Sequence, residues 1–297
     1  MKRMVATAIC GLLLLLACAA AAEIYVNVDK PEGWDQRELM RLVVFPTYQS
    51  DCMVLECGGE TMFLEGAREE WHDRVAEALQ RFGYTHVDYL YSSHPHPDHI
   101  QNMCRLLQSG DLTGELFLTP FAENYEYEYL QEMEETLAEK GIPYYQLQEG
   151  EVWQLGGAEM KLLRWRNANL INAMSGVWRV TFGGCTILLN SDIDGETERH
   201  LLEQYGADAL QADIMTAPHH GLMRLLAEYV EGVNPGLVII DNDRVKSETQ
   251  TNQYTKRDIN LLYNDDGIII LETDGADWYI TQLDGWAEET VETKSIW

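Results

Sequence analysis

Apolar and polar positions alternate in short runs along most of the chain, and these runs predict a mixed α/β protein. Residues 41–46 and 52–56 read as strands, Gly58-Gly59 as a tight turn, and residues 61–64 as the returning strand of a hairpin. Over residues 67–82 the spacing becomes helical, with Trp71, Val75, Ala78, Leu79 and Phe82 on one side and Gly83 as the stop. A short strand at 87–91 runs into Ser92-Ser93-His94-Pro95-His96-Pro97-Asp98-His99, and residues 100–107 follow as a helix. Further strands are predicted at 116–119, 144–147, 159–165, 177–182, 186–190, 214–217, 237–241, 268–272 and 278–281, with helices at 125–140 and 196–205. Strands in runs, with helices between them, suggest two sheets with helices packed outside. No repeat and no Pro/Gly/Ser linker divides residues 23–297, so they read as one domain.

The N-terminus is set apart from this pattern. Lys2 and Arg3 precede an unbroken small and apolar run over residues 9–22, which closes on Ala20-Ala21-Ala22. That is the form of a secretory signal peptide spanning residues 1–22, with Glu23 as the first mature residue. Lipidation at Cys18, in Leu15-Leu16-Ala17-Cys18, ranks second because Leu16 is an awkward residue for a lipobox, and an uncleaved anchor ranks third. No later run is apolar for long enough to cross a bilayer. The expected protein is therefore secreted or extracytoplasmic, without a membrane span in the mature chain.

Composition adds two constraints. The formal net charge is −28, and no block of Lys and Arg interrupts it, which counts against nucleic acid as a partner. The acidic run at 123–139 reads as a solvated helix face. Cys52, Cys57, Cys104 and Cys185 have no CxxC spacing, so buried free thiols are expected rather than a zinc site.

The candidate chemistry lies in the histidines. Of eight, five fall in two clusters at the ends of predicted strands: His94, His96 and His99, then His219 and His220. Pro95 and Pro97 bias His94 and His96 toward extended conformations. Extended residues at i and i+2 point the same way, so both imidazoles can grip one metal. The chain then turns into a helix, which faces Asp98 and His99 toward a second metal. Imidazole and carboxylate favour zinc, with manganese or iron as alternatives. Two such ions about 3.5–4 Å apart can act together on a phosphoryl or carbonyl oxygen. Asp192, after the apolar strand at 186–190, is the candidate bridging carboxylate; its rival role is to cap the helix that follows. His219 or His220 supplies the remaining imidazole, with His219 preferred because it is nearer the strand.

His94-x-His96-x-Asp98-His99 resembles the HxHxDH signature of the metallo-β-lactamase superfamily. More narrowly, the chain resembles the soluble hydrolase domain of the ComEC/Rec2 competence proteins and their secreted relatives. Residues 49–55 resemble the opening strand of that group, Leu189 to Ile193 its "LLTGD" element, Pro218-His219-His220-Gly221 its "HHG" motif, and 267–275 its closing hairpin. The match covers nearly all of residues 41–285. The resemblance implies an αββα four-layer sandwich of the α+β class, two divalent metal ions, and hydrolysis by a metal-bound hydroxide. It implies that His94 and His96 hold the first metal and that Asp98, His99 and His219 or His220 hold the second. Asp192 would bridge, and Asp98 would also orient or accept a proton from the attacking water. Many members of the superfamily place a third histidine on the first metal near mid-chain. No histidine lies between His99 and His200 here. Asn172, in the matching region, is either a weak ligand or a structural asparagine.

The function expected on this basis is an exported metal-dependent hydrolase of an ester or phosphodiester. A nuclease linked to DNA uptake and a non-catalytic binding module with a degenerate site are its rivals.

Overall fold

The computed structural model describes residues 22–166 and 168–286. The expected signal peptide lies almost wholly outside them. The first sheet contains β1 (Ile24–Val26), β2 (Met40–Val44), β3 (Cys52–Cys57), β4 (Glu60–Gly66), β5 (His86–Tyr91), β6 (Thr113–Thr119) and β7 (Tyr144–Gln146). The second contains β8 (Val152–Leu155), β9 (Ala158–Leu163), β10 (Val177–Phe182), β11 (Cys185–Leu189), β12 (Ile214–Thr216), β13 (Leu237–Ile240) and β14 (Asn260–Tyr263). The chain then returns to the first sheet as β15 (Ile269–Thr273) and β16 (Trp278–Gln282), giving the orders β1-β16-β15-β2-β3-β4-β5-β6-β7 and β14-β13-β12-β11-β10-β9-β8.

Period-two alternation explains why the sheets stack. On β2, Met40, Leu42 and Val44 enter a core shared with Met160, Trp178, Ile187 and Ile239 of the second sheet. Val43 faces the other way, into a layer with Val75, Met103 and Leu137. These come from α1 (His72–Phe82), α2 (Pro97–Ser109) and α3 (Glu128–Lys140). Leu188, Met215 and Val238 turn outward from the second sheet onto Leu201, Tyr229 and Tyr254. Those side chains belong to α4 (Gly195–Tyr205), α5 (Ala227–Val233) and α6 (Arg244–Thr255). The result is the expected αββα sandwich, with one core between the sheets and one under each helical layer. Cys52, Cys57, Cys104 and Cys185 are buried free thiols.

Several expectations need correction. The helix expected from residue 67 starts at His72, after a 3-10 turn at Glu69–Trp71. Ala67 is left-handed, at φ 65°, with its N–H donating to Asp51 O and its carbonyl accepting from Asn102 N, so it is tied into the loop. The helix expected from 125 starts at Glu128. Strands β1, β8 and β14 and helices α5 and α6 were not expected. In α6 the buried positions include Ser247, Thr251 and Tyr254, a helical spacing carried mostly by hydroxyl groups, which an apolar pattern does not register.

Candidate metal centre

Strands β4, β5 and β6 run parallel, as do β11 to β14. Their C-terminal ends converge at one edge of the sandwich, the place where open α/β sheets present their site loops. His94 and His96 lie in the β5–α2 loop, with His96 as the extended N-cap of α2 (φ −69°, ψ 151°) and Pro97 at its first position. Asp98 and His99 occupy the first turn of that helix. Asp192 lies between β11 and α4, and His219 and His220 follow β12. The helix seats closely on the sheet: a Cβ on Gly66 would stand 2.4 Å from Met103 N. Left-handed non-glycine residues gather here, at Gln49, Glu65, Ala67, Ser191, His219 and His220, which is where strained backbone tends to be retained.

Ligand atoms of His94, His96 and Asp192 lie within 4.8 Å of one another, and so do those of Asp98, His99 and His220. In the first group His94 Nε2 is 3.1 Å from His96 Nδ1 and 3.7 Å from Asp192 Oδ2. In the second, Asp192 Oδ1 lies 3.3 Å from His99 Nε2 and 3.4 Å from His220 Nε2, and Asp98 Oδ2 lies 3.7 Å from His220 Nε2. Tetrahedral zinc with bonds of about 2.0–2.1 Å separates its ligand atoms by roughly 3.3–3.4 Å, so these spacings fit such an ion. His99 Nε2, His220 Nε2 and Asp192 Oδ1 are also buried without a hydrogen-bond partner. Three polar atoms converging in that state fit a cation between them.

The outward ring nitrogens face polar side chains, and those of His220 and His94 are hydrogen-bonded. His220 Nδ1–H donates to Asp241, and His99 Nδ1 faces Glu65 at 3.4 Å and Asp51 at 3.6 Å. His94 Nδ1 is 3.0 Å from Ser93 Oγ, which itself lies 2.6 Å from Ser191 Oγ. Glu65 is fixed in turn by accepting from Ser93 N at 3.0 Å. Arg68 Nη2 donates to Asp98 Oδ2 at 2.8 Å.

Charge separates the ligands. Burial opposes a proton on His99 and His220, but facing carboxylates outweigh it: Asp192 and Glu65 for His99, Asp241 and Asp192 for His220. Both imidazoles are raised well above the ordinary histidine value. Burial and the neighbouring His99 lower His94 well below it. Burial would raise Asp192 and Asp98, but His220 and His99 hold both carboxyls below the usual range. Burial and the Asp241 charge raise the Asp51 carboxyl, while His220 holds that of Asp241 below the usual range.

The structure brings all the expected ligand residues to one site, but it separates the two adjacent histidines. His220 Nε2 joins Asp98 and His99, whereas His219 Nε2 points at the other oxygen of Asp192, Oδ2, at 3.9 Å. Left-handed backbone at both residues (φ 52° and 55°) turns the two rings apart, so nearness to the strand does not select His219 for the second group. The capping role belongs to Asp194, whose Oδ1 accepts from Glu196 N at 3.1 Å and Thr197 N at 2.9 Å. Sequence reasoning gave no role to Asp51, Glu65, Arg68 or Asp241. The available signal was a carboxylate closing an apolar strand, as in Met62-Phe63-Leu64-Glu65 and Val238-Ile239-Ile240-Asp241.

No protein-family model matches the chain, and no curated protein does. Among solved structures it is similar to the metallo-β-lactamase fold protein YhfI from Bacillus subtilis, with a TM-score of 0.51 and 11% identity over 77% of this chain and 98% of that one. The diiron β-hydroxylase CmlA from Streptomyces venezuelae gives a TM-score of 0.47 and 14% identity over 80% of this chain and 54% of that one. This chain thus spans about half the length of CmlA. Igni18, a metallo hydrolase from Ignicoccus hospitalis, gives 0.45 and 12% over 78% and 98% of the respective chains. At 11% identity the likeness to YhfI shows the fold alone, and that fold is the metallo-β-lactamase fold.

Proposed function

We propose that the chain is an exported, di-metal-dependent hydrolase acting on an ester or phosphodiester, with zinc as its metal and manganese or iron as alternatives. The observation that carries this reading is the shared carboxylate: Asp192 turns Oδ1 to His99 and His220, and Oδ2 to His94 and His219. A structural carboxylate would be satisfied by hydrogen bonds, yet Asp192 Oδ1 is buried without one. When bound, two divalent ions supply a nucleophilic water at neutral pH and polarise the substrate oxygen. The chain's own residues do the rest. Asp98, held by Arg68, would orient the attacking water and accept its proton. Asp241 and Glu65 fix the His220 and His99 rings, and the buried walls limit access of bulk water. The motif likeness to ComEC-like hydrolase domains supports the same chemistry, and the run over residues 1–22 supports export.

The net charge of −28 favours a small substrate over nucleic acid. A binding module with a degenerate site is favoured by one observation, the three-residue set at His94, His96 and Asp192. Metal analysis followed by a screen of phosphodiester, ester, lactone and nucleic-acid substrates, with and without chelator, separates these readings. Chelator-sensitive turnover of a small ester or phosphodiester is expected. Metal binding without turnover of any substrate would leave the binding module, and no bound metal would sink both.

A further inference from the structure

The two ligand sets are unequal. Asp98, His99, His220 and Asp192 Oδ1 give the second pocket four ligand groups, while His94, His96 and Asp192 Oδ2 give the first only three. Facing the first pocket is Asn172, in the 3-10 turn Asn172–Met174 ahead of β10. Its Nδ2 donates to Asp192 Oδ2 at 3.4 Å and lies 3.4 Å from His219 Nδ1, while its Oδ1 is buried with no hydrogen-bond partner among the described residues. A side-chain amide presents oxygen or nitrogen at nearly the same place after a half-turn about its last torsion. Turned that way, Oδ1 would meet the Asp192 carboxylate at the same 3.4 Å. Two acceptors at that distance repel unless a cation lies between them, and roughly 3.3–3.4 Å is the spacing of two ligands on one tetrahedral ion. The same turn lets His219 Nδ1–H donate to the amide oxygen.

We propose that Asn172 Oδ1 is a ligand of the first-pocket ion and that His219 is the residue that positions it. The neutral, hard oxygen makes the first pocket the weaker and more exchangeable of the two, and more tolerant of oxygen-preferring cations such as manganese. The inference rests on the di-metal reading above.

Cobalt titration of the metal-free full-length protein, followed by visible absorption and elemental analysis, tests it without reference to turnover. The unaltered protein is expected to take two ions with unequal affinity. Asn172→Ala is expected to weaken only the weaker site, by more than the roughly 10–100-fold typical of losing an outer-shell partner. Asn172→Asp keeps the shape and adds charge, so it is expected to bind at that site as tightly as the original or tighter. His219→Ala is expected to weaken the same site less than Asn172→Ala does. If Asn172→Ala and Asn172→Asp both titrate like the unaltered protein, the assignment is overturned. If His219→Ala abolishes the weaker site while Asn172→Ala does not, His219 is the ligand and the inference is wrong. An unaltered protein that binds no ion would instead overturn the di-metal reading itself.

Discussion

The pocket around Asp98, His99 and His220 is closed and backed by three acidic side chains, whereas the one around His94 and His96 is partly open and backed by a hydroxyl. His99 and His220 are 0% and 3% exposed, and Asp51, Glu65 and Asp241 stand behind them. In the other pocket the His219 side chain is 28% exposed, and the outer partner of His94 is the Ser93 hydroxyl. A dication gains more where carboxylates surround it in a low dielectric, and outer carboxylates also raise ligand basicity. The difference teaches that one carboxylate can join two pockets of unlike surroundings, which would hold their ions with unequal strength.

The largest expected effect comes from removing what the pockets share. Asp192→Asn should deplete both ions, since it removes the charge that faces both. Elemental analysis after desalting checks this, and a variant that keeps two ions would break the comparison at its root. Next is the wall of the closed pocket. Glu198 accepts from Leu226 N at 2.7 Å, on the loop that leaves His220, and burial raises its carboxyl to about 7 from the usual 4.5. Below pH 4.5 both folded and unfolded chains hold that proton, so nothing is lost. As pH rises from 4.5 to 7 the unfolded chain ionises first and stability falls, by about 3 kcal/mol once pH exceeds 7. Glu198→Gln should therefore match the original protein in urea unfolding at pH 4 and exceed it at pH 8. Equal curves at both pH values would remove this account.

A finer test addresses the asymmetry itself. Asp241→Asn should weaken the closed pocket about 10–100-fold and leave the open one unchanged. A metal titration in which both sites weaken equally would show that the pockets do not differ as described. The smallest effect sharpens the contrast between two neighbouring aspartates. Asp194→Ala should cost about 0.5–2 kcal/mol of stability, the loss of a helix cap, with metal content unchanged.

Much of this is legible in the sequence. Two sheets with helices outside follow from period-two strands and helical spacing, because burial on one face leaves that imprint on the residues, and the resemblance implies the αββα order. Val177–Phe182 appears as expected from its apolar run, and the turn at Gly58-Gly59 (φ 59° and 85°) has the backbone that only such residues adopt easily. The cluster of His94, His96, Asp98 and His99 was legible because its members are adjacent in sequence. Asp51, Glu65 and Asp241 were not, because a carboxylate behind a ligand is defined by tertiary contact and looks locally like any turn or strand-end acid. Sequence spacing leaves the choice between His219 and His220 open, since which ring faces which way depends on two left-handed residues that it does not reveal.

The return of the chain from the second sheet to the first has a consequence for how the centre is loaded. Strands β15 and β16 insert between β1 and β2, so the first sheet is not closed until the last described strands have docked. Residues 94–99 leave the ribosome or translocon long before Asp192, His219 and His220, and alone they hold only part of either ligand set. Neither pocket exists on a nascent chain. Since carboxylate and imidazole sites rank divalent metals by intrinsic affinity rather than by need, the ion that enters is decided by the pool surrounding the chain when its C-terminal hairpin closes. For a chain that finishes folding outside the cytoplasm, that pool would be the environment's, and the ion of the closed pocket, the less exchangeable of the two, would record where folding ended.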